Sequence, residues 1–169
     1  PIASLGVCGG RTAKKFLPIL FEKSVPWEKI HLFLVDDRWV PISSQHSNER
    51  ILRELLTKKK ILVKRFIGLK NNCKYPNEAL EAVKINFEKI KKPFDSLFLG
   101  IGEDGHIASL FPGGQENKEF NSLLVTSFSP SYPHERIGLS PKGLQSAESI
   151  TLLAFGPEKR KVLKLAMKA

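Results

Sequence analysis

The sequence lacks any long hydrophobic segment, since none of its apolar runs approaches the roughly 20 residues of a membrane-spanning helix. Its longest apolar runs, residues 30–35 and 149–155, have the length of β-strands. The first residues also lack the basic segment and long apolar stretch of a secretory signal. We therefore expect a cytoplasmic protein without a membrane partner.

Cysteine is scarce, with only Cys8 and Cys73 in 169 residues. The two form neither a CxxC pair nor the spacing of a zinc site, so we expect free thiols in a reducing compartment.

Acidic residues are also few relative to basic ones: 17 Asp and Glu stand against 27 Lys and Arg, which gives a net charge of +10. Such an excess attracts polyanions. The lysines cluster at residues 58–60, 89–92 and 159–168, however, and no nucleic-acid-binding motif accompanies them. We expect solvated lysine-rich faces and no nucleic-acid partner, and a small anionic substrate also fits this charge.

Strand-like and helix-like patterns alternate along the chain. Strands are predicted at residues 2–7, 30–35, 62–67, 95–100, 123–127, 136–139 and 150–155. Helices are predicted after Thr12, from residue 47, over 77–91 and over 157–167. The predicted N-caps are Thr12, Ser47 or Asn48, and Asn77. Buried strands that alternate with helices predict an α/β fold, an open, mostly parallel sheet flanked by helices in a Rossmann-like three-layer sandwich. No break in composition marks a second domain, so residues 1–169 are predicted to form one.

Three polar clusters follow predicted strands, at residues 9–12, 36–38 and 100–106. In open parallel sheets, ligands bind beyond the carboxyl ends of the strands. The clusters therefore predict a shared active site at that edge of the sheet.

Two of these clusters carry groups that bind anions. Gly9 and Gly10 let the backbone approach an anion at a helix N-terminus, and Thr12 adds a hydroxyl. Arg38 suits bidentate binding of a phosphate, although an Arg–Asp surface pair is the alternative. Lys159 lies near the start of the last predicted helix, where a cation is unfavourable unless it binds an anion or points to solvent.

The third cluster, residues 100–106, combines three glycines with Glu103, Asp104 and His106. A neutral histidine can take a proton from water, and a carboxylate such as Asp104 can hold its useful tautomer. Metal binding and a bystander role are the alternatives for His106. Neither Cys8 nor Ser109 lies in a nucleophile motif. Residues 107–110 are predicted to begin a helix.

Several motifs, in the right order, resemble the glucosamine-6-phosphate isomerase/6-phosphogluconolactonase family, and its lactonases in particular. The long signature is Leu99-Gly100-Ile101-Gly102-Glu103-Asp104-Gly105-His106-Ile107-Ala108-Ser109-Leu110-Phe111-Pro112. The shorter ones are Val35-Asp36-Asp37-Arg38-Trp39-Val40-Pro41 with Ser47-Asn48, Cys8-Gly9-Gly10-Arg11-Thr12-Ala13, and Gly156-Pro157-Glu158-Lys159.

The resemblance implies hydrolysis of 6-phospho-D-glucono-1,5-lactone to 6-phospho-D-gluconate in the oxidative pentose phosphate pathway. It implies His106 as the general base, with Asp104 in support, and neither metal nor cofactor. The phosphate-binding groups that it implies are Gly9, Gly10, Thr12, Arg38 and Lys159, with Arg136 as a further candidate. Arg11, which departs from the family pattern, either adds a phosphate contact or points away. Family members are longer, so we expect this chain to lack their N- and C-terminal segments. A link with glucose-6-phosphate dehydrogenase, by fusion or by function, is also implied.

The chain departs from the family pattern at two places. Cys8, Arg11 and Ala13 stand where the glycine loop usually has Ser, Ser and Pro. Gly138 stands where a threonine is common.

Two other functions stay open at this point. Glucosamine-6-phosphate deamination and isomerisation shares the Gly-x-Asp-Gly-His core, but residues 109–112 read Ser-Leu-Phe-Pro and not the Asn-Glu-Pro typical of that enzyme. A non-catalytic sugar-phosphate binding module would keep Arg38 and Lys159 but would not need His106.

Overall fold

The computed structural model describes residues 1–118 and 121–168. Within these ranges the strands are β1 (Ala3–Val7), β2 (Ile30–Leu34), β3 (Asp36–Arg38), β4 (Arg65–Ile67), β5 (Ser96–Gly100), β6 (Leu124–Phe128), β7 (Glu135–Leu139) and β8 (Ile150–Leu153). The helices are α1 (Gly10–Leu20), α2 (Asn48–Lys58), α3 (Pro76–Glu88), α4 (Pro141–Gln145) and α5 (Pro157–Ala166), with short 3-10 turns at Trp27–Lys29 and Gln115–Lys118.

The main sheet has five strands in the order β4-β2-β1-β5-β8, and each neighbouring pair is parallel. Its central strands are buried because helices cover them, and Leu32 and Phe33 in β2 have no solvent exposure. Near-continuous apolar sequence is what such strands require. The predicted α/β fold with an open parallel sheet is therefore confirmed.

A second, antiparallel sheet of three strands in the order β3-β7-β6 was not predicted. Residues 36–38 were predicted to be a polar cluster beyond a strand, whereas they form the short strand β3 and pair with β7. Val35 joins the two sheets: its N–H donates to the carbonyl of Val7 at 3.0 Å, and its carbonyl accepts from the N–H of Leu139 at 2.8 Å. The polar cluster after β2 is thus held in a rigid sheet.

Helix α3 packs against the antiparallel sheet and also reaches the main one. The ring of Phe87 in α3 lies 5.4 Å, centroid to centroid, from that of Phe33 in β2, and Phe94 lies 4.7 Å from Phe33. All three side chains are fully buried. Burying a phenylalanine ring contributes about 2–3 kcal/mol, so this cluster is a main source of stability.

Two predicted helix caps were wrong. Gly9 is the N-cap of α1, and Thr12 lies inside the first turn, where its hydroxyl accepts a hydrogen bond from Lys159. Tyr75 is the N-cap of α3, because the helix begins at Pro76, two residues before the position that an Asn77 cap would require. Glu78 accepts from the N–H of Tyr75 at 3.2 Å. Of the two predicted caps of α2, Ser47 is the N-cap, since its hydroxyl accepts from the N–H of Arg50 at 3.1 Å.

Among the helices of the described residues, none is both long and apolar enough to cross a lipid bilayer.

Candidate active site

A cleft of about 420 Å³ opens at the carboxyl edge of the main sheet, where the three polar clusters meet. Each residue predicted to act at the site lines it: Gly9, Gly10, Arg11, Thr12, Arg38, Asp104, His106, Arg136 and Lys159. The structure therefore brings together groups that are up to 150 residues apart in sequence.

The loop after β5 folds back on itself and presents His106 to the cleft. The N–H of Gly102 donates to the carbonyl of His106 at 2.8 Å, and the N–H of Gly105 donates to the carbonyl of Gly102 at 3.2 Å. A Cβ on Gly102 would lie only 2.2 Å from Nδ1 of His106, so a side chain cannot be accommodated there without moving the histidine. Gly105 has a φ of +91°, a conformation that favours glycine. These glycines are needed for the position of the imidazole.

Asp104 orients the imidazole of His106. Its Oδ1 lies 2.6 Å from Nδ1 of His106 and accepts the backbone N–H of the same residue at 3.2 Å. Partial burial opposes ionisation of Asp104, but these hydrogen bonds outweigh it and lower the pKa of the carboxyl. An ionised carboxylate only accepts hydrogen bonds, so in the neutral imidazole Nδ1 carries the proton and Nε2 keeps its lone pair. His106 is thus arranged as a proton acceptor.

Residues 107–110 form a tight turn, so the predicted helix start was wrong. The N–H of Leu110 donates to the carbonyl of Ile107 at 2.9 Å, and Ala108 has a φ of 52°. The left-handed backbone at Ala108 cannot belong to a right-handed helix. The turn points the Ser109 hydroxyl inward, where it donates to Oδ2 of Asp36 at 2.8 Å.

Two arginines face the cleft from the antiparallel sheet. Arg38 in β3 and Arg136 in β7 are directly opposite each other in the strand register. Arg136 is only 8% exposed, and within the described part of the chain its buried Nε has no hydrogen-bond partner. Burial, and then the charge of Arg38, lower the pKa of Arg136 to about 10. Two adjacent guanidinium groups, one of them incompletely paired, make a site for an anion.

Helix α2 fixes the direction of Arg38. Its Nη1 donates to Oδ1 of Asn48 at 2.6 Å and to the carbonyl of His46 at 3.0 Å. Asp37, on the same strand, accepts the backbone N–H groups of Asn48 and Glu49 at 2.7 and 3.0 Å and so anchors the N-terminus of α2. Burial raises the pKa of Asp37 to about 6 in spite of these hydrogen bonds. The alternative of an Arg–Asp surface pair does not apply, because Asp37 is 1% exposed and bonds to the helix.

A further basic group comes from α1 and α5. Nζ of Lys159 donates to Oγ1 of Thr12 at 2.8 Å, and burial and then the charge of Arg11 lower the pKa of the ammonium. Gly10 has a φ of +77°, and a Cβ built on it would have no other atom within 4 Å. The backbone at the start of α1 is therefore open to the cleft. Lys159 does not point away into solvent.

Two residues that depart from the family pattern, Arg11 and Gly138, have defined contacts in the structure. Arg11 makes an exposed ion pair with Glu103, with Nη2 2.5 Å from Oε1, so it lies at the rim of the cleft. Gly138 pairs with Asp36 across β3 and β7, and a Cβ there would lie 2.9 Å from the carbonyl oxygen of Val35. The close approach of the two strands at this point favours glycine.

Cys8 lines the cleft but is a poor nucleophile. Burial, and then the charge of Asp36, raise the pKa of its thiol to about 12. Its reactive thiolate form is therefore scarce at neutral pH. Within residues 1–118 and 121–168, no cluster of three or more His, Cys, Asp or Glu side chains is placed to hold a metal ion.

Sequence reasoning missed the wall formed by the hairpin between β6 and β7. Ser129, Ser131 and Tyr132 of this hairpin line the cleft, and the ring of Tyr132 lies edge-on to that of His46 at 5.6 Å. No local motif identified them, because they reach the site only through the antiparallel sheet. The bond between Ser109 and Asp36 was missed for the same reason.

Known proteins are similar to this chain in sequence and in fold. The model of the family described as glucosamine-6-phosphate isomerases/6-phosphogluconolactonase matches residues 1–169. A 6-phosphogluconolactonase of Pseudomonas aeruginosa is 35% identical over 171 residues, which cover 98% of this chain and 71% of the relative. The GDH/6PGL endoplasmic bifunctional protein of Homo sapiens is 34% identical over 148 residues, or 83% of this chain and 19% of that protein.

A crystal structure of a 6-phosphogluconolactonase from Shewanella baltica OS155 superposes with a TM-score of 0.88 at 33% identity, covering 98% of this chain and 72% of that one. The match extends over the whole sequence and includes the loop of His106 and the strand of Arg38. The chain belongs to the glucosamine-6-phosphate isomerase/6-phosphogluconolactonase family.

Proposed function

We propose that this chain hydrolyses 6-phospho-D-glucono-1,5-lactone to 6-phospho-D-gluconate, the lactonase step of the oxidative pentose phosphate pathway. The single observation that carries the proposal is a histidine held as a proton acceptor in the same cleft as two adjacent arginines. The relatives from Pseudomonas aeruginosa and Shewanella baltica, both named 6-phosphogluconolactonases, support the choice of reaction.

In this proposal, His106 is the general base. Its Nε2 takes a proton from a water molecule while the water oxygen attacks C1 of the lactone. The C1–O5 bond then breaks, and O5 takes up a proton as the ring opens to the acid. Asp104 fixes the tautomer and stabilises the imidazolium that forms. Water and protein side chains supply every group that the reaction needs.

The phosphate is proposed to bind at the arginine pair and at the start of α1. Arg38 and Arg136 supply planar, bidentate donors, and Lys159 and the backbone at Gly9, Gly10 and Thr12 supply further ones. Arg11 adds positive charge at the rim, where its bond to Glu103 is open to solvent. Phosphate binding holds the sugar lactone so that its carbonyl meets the activated water.

The turn at residues 107–110 argues against the deaminase alternative. Ser109 is buried and bonded to Asp36, and Phe111 packs its ring 5.0 Å from that of His106. Deamination needs a carboxylate base beside C2 of the sugar. In this segment, a serine and an apolar ring occupy the positions next to the histidine.

The test is to measure the decay of 6-phosphogluconolactone with wild type and His106→Ala against the spontaneous rate. We expect His106→Ala to lower kcat by about 10²-fold or more, the scale of a general base. His31→Ala is the matched control, because His31 lies near the start of β2 at the opposite edge of the sheet. We expect its kcat to stay within about twofold of wild type, since it cannot reach the substrate.

Each result separates the candidate functions. Turnover of glucosamine 6-phosphate in a parallel assay would favour the deaminase. Binding of 6-phosphogluconate without turnover of either substrate would favour a non-catalytic module. Equal lactone rates for His106→Ala and wild type would remove His106 from the mechanism.

The cellular location and the functional partner that we propose follow from the reaction. We place the enzyme in the cytoplasm, with residues 1–169 as one catalytic domain and a sugar-phosphate lactone as its substrate. The human bifunctional relative supports a functional link with the glucose-6-phosphate dehydrogenase that would supply this lactone.

A further inference from the structure

A buried hydrogen bond joins the loop of His106 to the strand of Arg38. Oγ of Ser109 donates to Oδ2 of Asp36 at 2.8 Å, across 73 positions of the sequence. Ser109 is 2% exposed and Asp36 is 7% exposed, so little water competes for the bond. A hydrogen bond to an ionised carboxylate is stronger than one between neutral groups, and burial strengthens it further.

Asp36 also belongs to the arginine site. It stands two positions before Arg38 in β3, and alternate residues of a strand share a face. Its charge acts on Arg136, raising the pKa that burial and Arg38 lower. Its backbone carbonyl accepts from Nδ2 of Asn48 at 3.1 Å, and Oδ1 of the same Asn48 holds Arg38. Asp36 therefore links both halves of the cleft, through its carboxylate to Ser109 and through its backbone carbonyl to Asn48.

We propose that Ser109 and Asp36 are positioning residues that set the place of His106 relative to the phosphate-binding arginines. This inference rests on the proposed lactonase function. The bond acts on the turn at residues 107–110, which begins one residue after His106 and holds Ala108 at a φ of 52°. Without the bond, the turn loses its tie to the antiparallel sheet, while His106, Asp104 and the arginines all keep their own contacts.

The predicted consequence is a loss of rate and not of affinity. Binding at the phosphate assists the reaction only if the carbonyl then meets the water held by His106, and a misplacement of about 1 Å can cost about 10²-fold. The arginines themselves stay bonded to Asn48 and stay in the sheet. Removing the Ser109 hydroxyl should thus lower kcat and leave product binding intact.

The molecule contains a matched control. Oγ of Ser4 donates to Oδ2 of Asp95, also at 2.8 Å and also with the serine 2% exposed. This second serine–aspartate bond lies at the amino edge of the sheet, outside the cleft. Ser4→Ala removes the same chemical group from the same degree of burial.

The experiment compares Ser109→Ala with Ser4→Ala and wild type in three measurements: kcat for 6-phosphogluconolactone, the Kd of 6-phosphogluconate by calorimetry, and the midpoint of denaturant unfolding. For Ser109→Ala we expect kcat to fall by about 10- to 100-fold with a Kd within about twofold of wild type. For Ser4→Ala we expect a similar fall in the unfolding midpoint, with kcat and Kd unchanged.

Other results would overturn the inference. If kcat of Ser109→Ala stays within threefold of that of Ser4→Ala, the bond does not position His106. If Kd rises in parallel with the loss of kcat, the bond serves the binding site as a whole. Failure of the proposed function is a separate result, because it would show as an absence of lactone hydrolysis by the wild-type protein.

Discussion

Each edge of the parallel sheet carries a serine–aspartate hydrogen bond of 2.8 Å, which is part-buried at the amino edge and buried at the carboxyl edge. At the amino edge, Ser4 and Asp95 bond reciprocally: the Asp95 carboxylate accepts the N–H of Ser4 at 2.7 Å, and the Ser4 hydroxyl accepts the N–H of Asp95 at 2.9 Å. These hydrogen bonds join the start of β1 to the start of β5.

At the carboxyl edge, the bond from Ser109 to Asp36 is single, and it joins two segments that each carry a group of the proposed site. The comparison predicts that a serine–aspartate bond serves stability or chemistry according to what it connects. It also makes the amino edge a source of control variants for the carboxyl edge.

The largest difference in kcat is expected between variants of two aspartates, Asp104 at the carboxyl edge and Asp95 at the amino edge. Asp104→Asn replaces the acceptor of His106 Nδ1–H by an amide that can donate, so Nε2 no longer reliably keeps its lone pair. We expect kcat for the lactone to fall by about 10²-fold, the usual scale for loss of general-base action. Steady-state kinetics against the spontaneous hydrolysis rate give the value.

Asp95→Asn is the control at the amino edge. It removes a carboxylate that also accepts hydrogen bonds, yet it lies outside the cleft, so kcat should stay within about twofold of wild type. Equal losses of kcat in the two variants would mean that Asp104 acts only through stability.

The next largest difference, in kcat/KM, is expected between variants of two arginines, Arg136 in the cleft and Arg65 at the amino edge. Arg136→Met keeps most of the buried stem but removes a donor to the proposed phosphate. A hydrogen bond to a charged group contributes about 1.5–3 kcal/mol, so kcat/KM should fall by about 10- to 100-fold, mainly through KM. Because Arg136 is buried with an unpaired Nε among the described residues, its replacement should not lower the free energy of unfolding.

Arg65→Met provides the comparison, since Arg65 begins β4 at the amino edge and is exposed. We expect its kcat/KM to stay within about twofold of wild type, because surface substitutions away from a site have small effects. A rise in KM that is equal in both variants would indicate that net charge, and not the arginine pair, attracts the substrate.

Much of the fold could be predicted because local sequence patterns determine the strands of the main sheet and the long helices. The apolar run at residues 30–35 and the helix over 77–91 each show the period of their own structure, and both elements formed close to the predicted bounds. The three polar clusters were also placed together correctly, because parallel strands end at a common edge.

The elements that were missed depend on distant partners. Strand β3 has only three residues and exists because β7, about 100 positions later, pairs with it. Residues 107–110 suit a helix by their side chains, but the bond from Ser109 to Asp36 accompanies a tight turn with left-handed Ala108. Helix propensity is weak enough for such tertiary contacts to override it.

The smallest expected effect is the pH dependence of the amino-edge bond. Burial opposes ionisation of Asp95, but hydrogen bonds from Ser4 and Lys91 outweigh it and lower its pKa. A carboxyl whose pKa is lower in the folded state adds stability that is present above its unfolded pKa of about 3.9 and is lost as the pH falls through the folded value. The free energy of unfolding of wild type should therefore exceed that of Asp95→Asn at pH 7, and this advantage should shrink below about pH 4. Denaturant unfolding of both proteins from pH 7 to pH 3 measures the difference. A difference that does not change with pH would show that Asp95 acts through shape and not through charge, and the amino-edge bond would then no longer be a chemical match for the bond of Asp36.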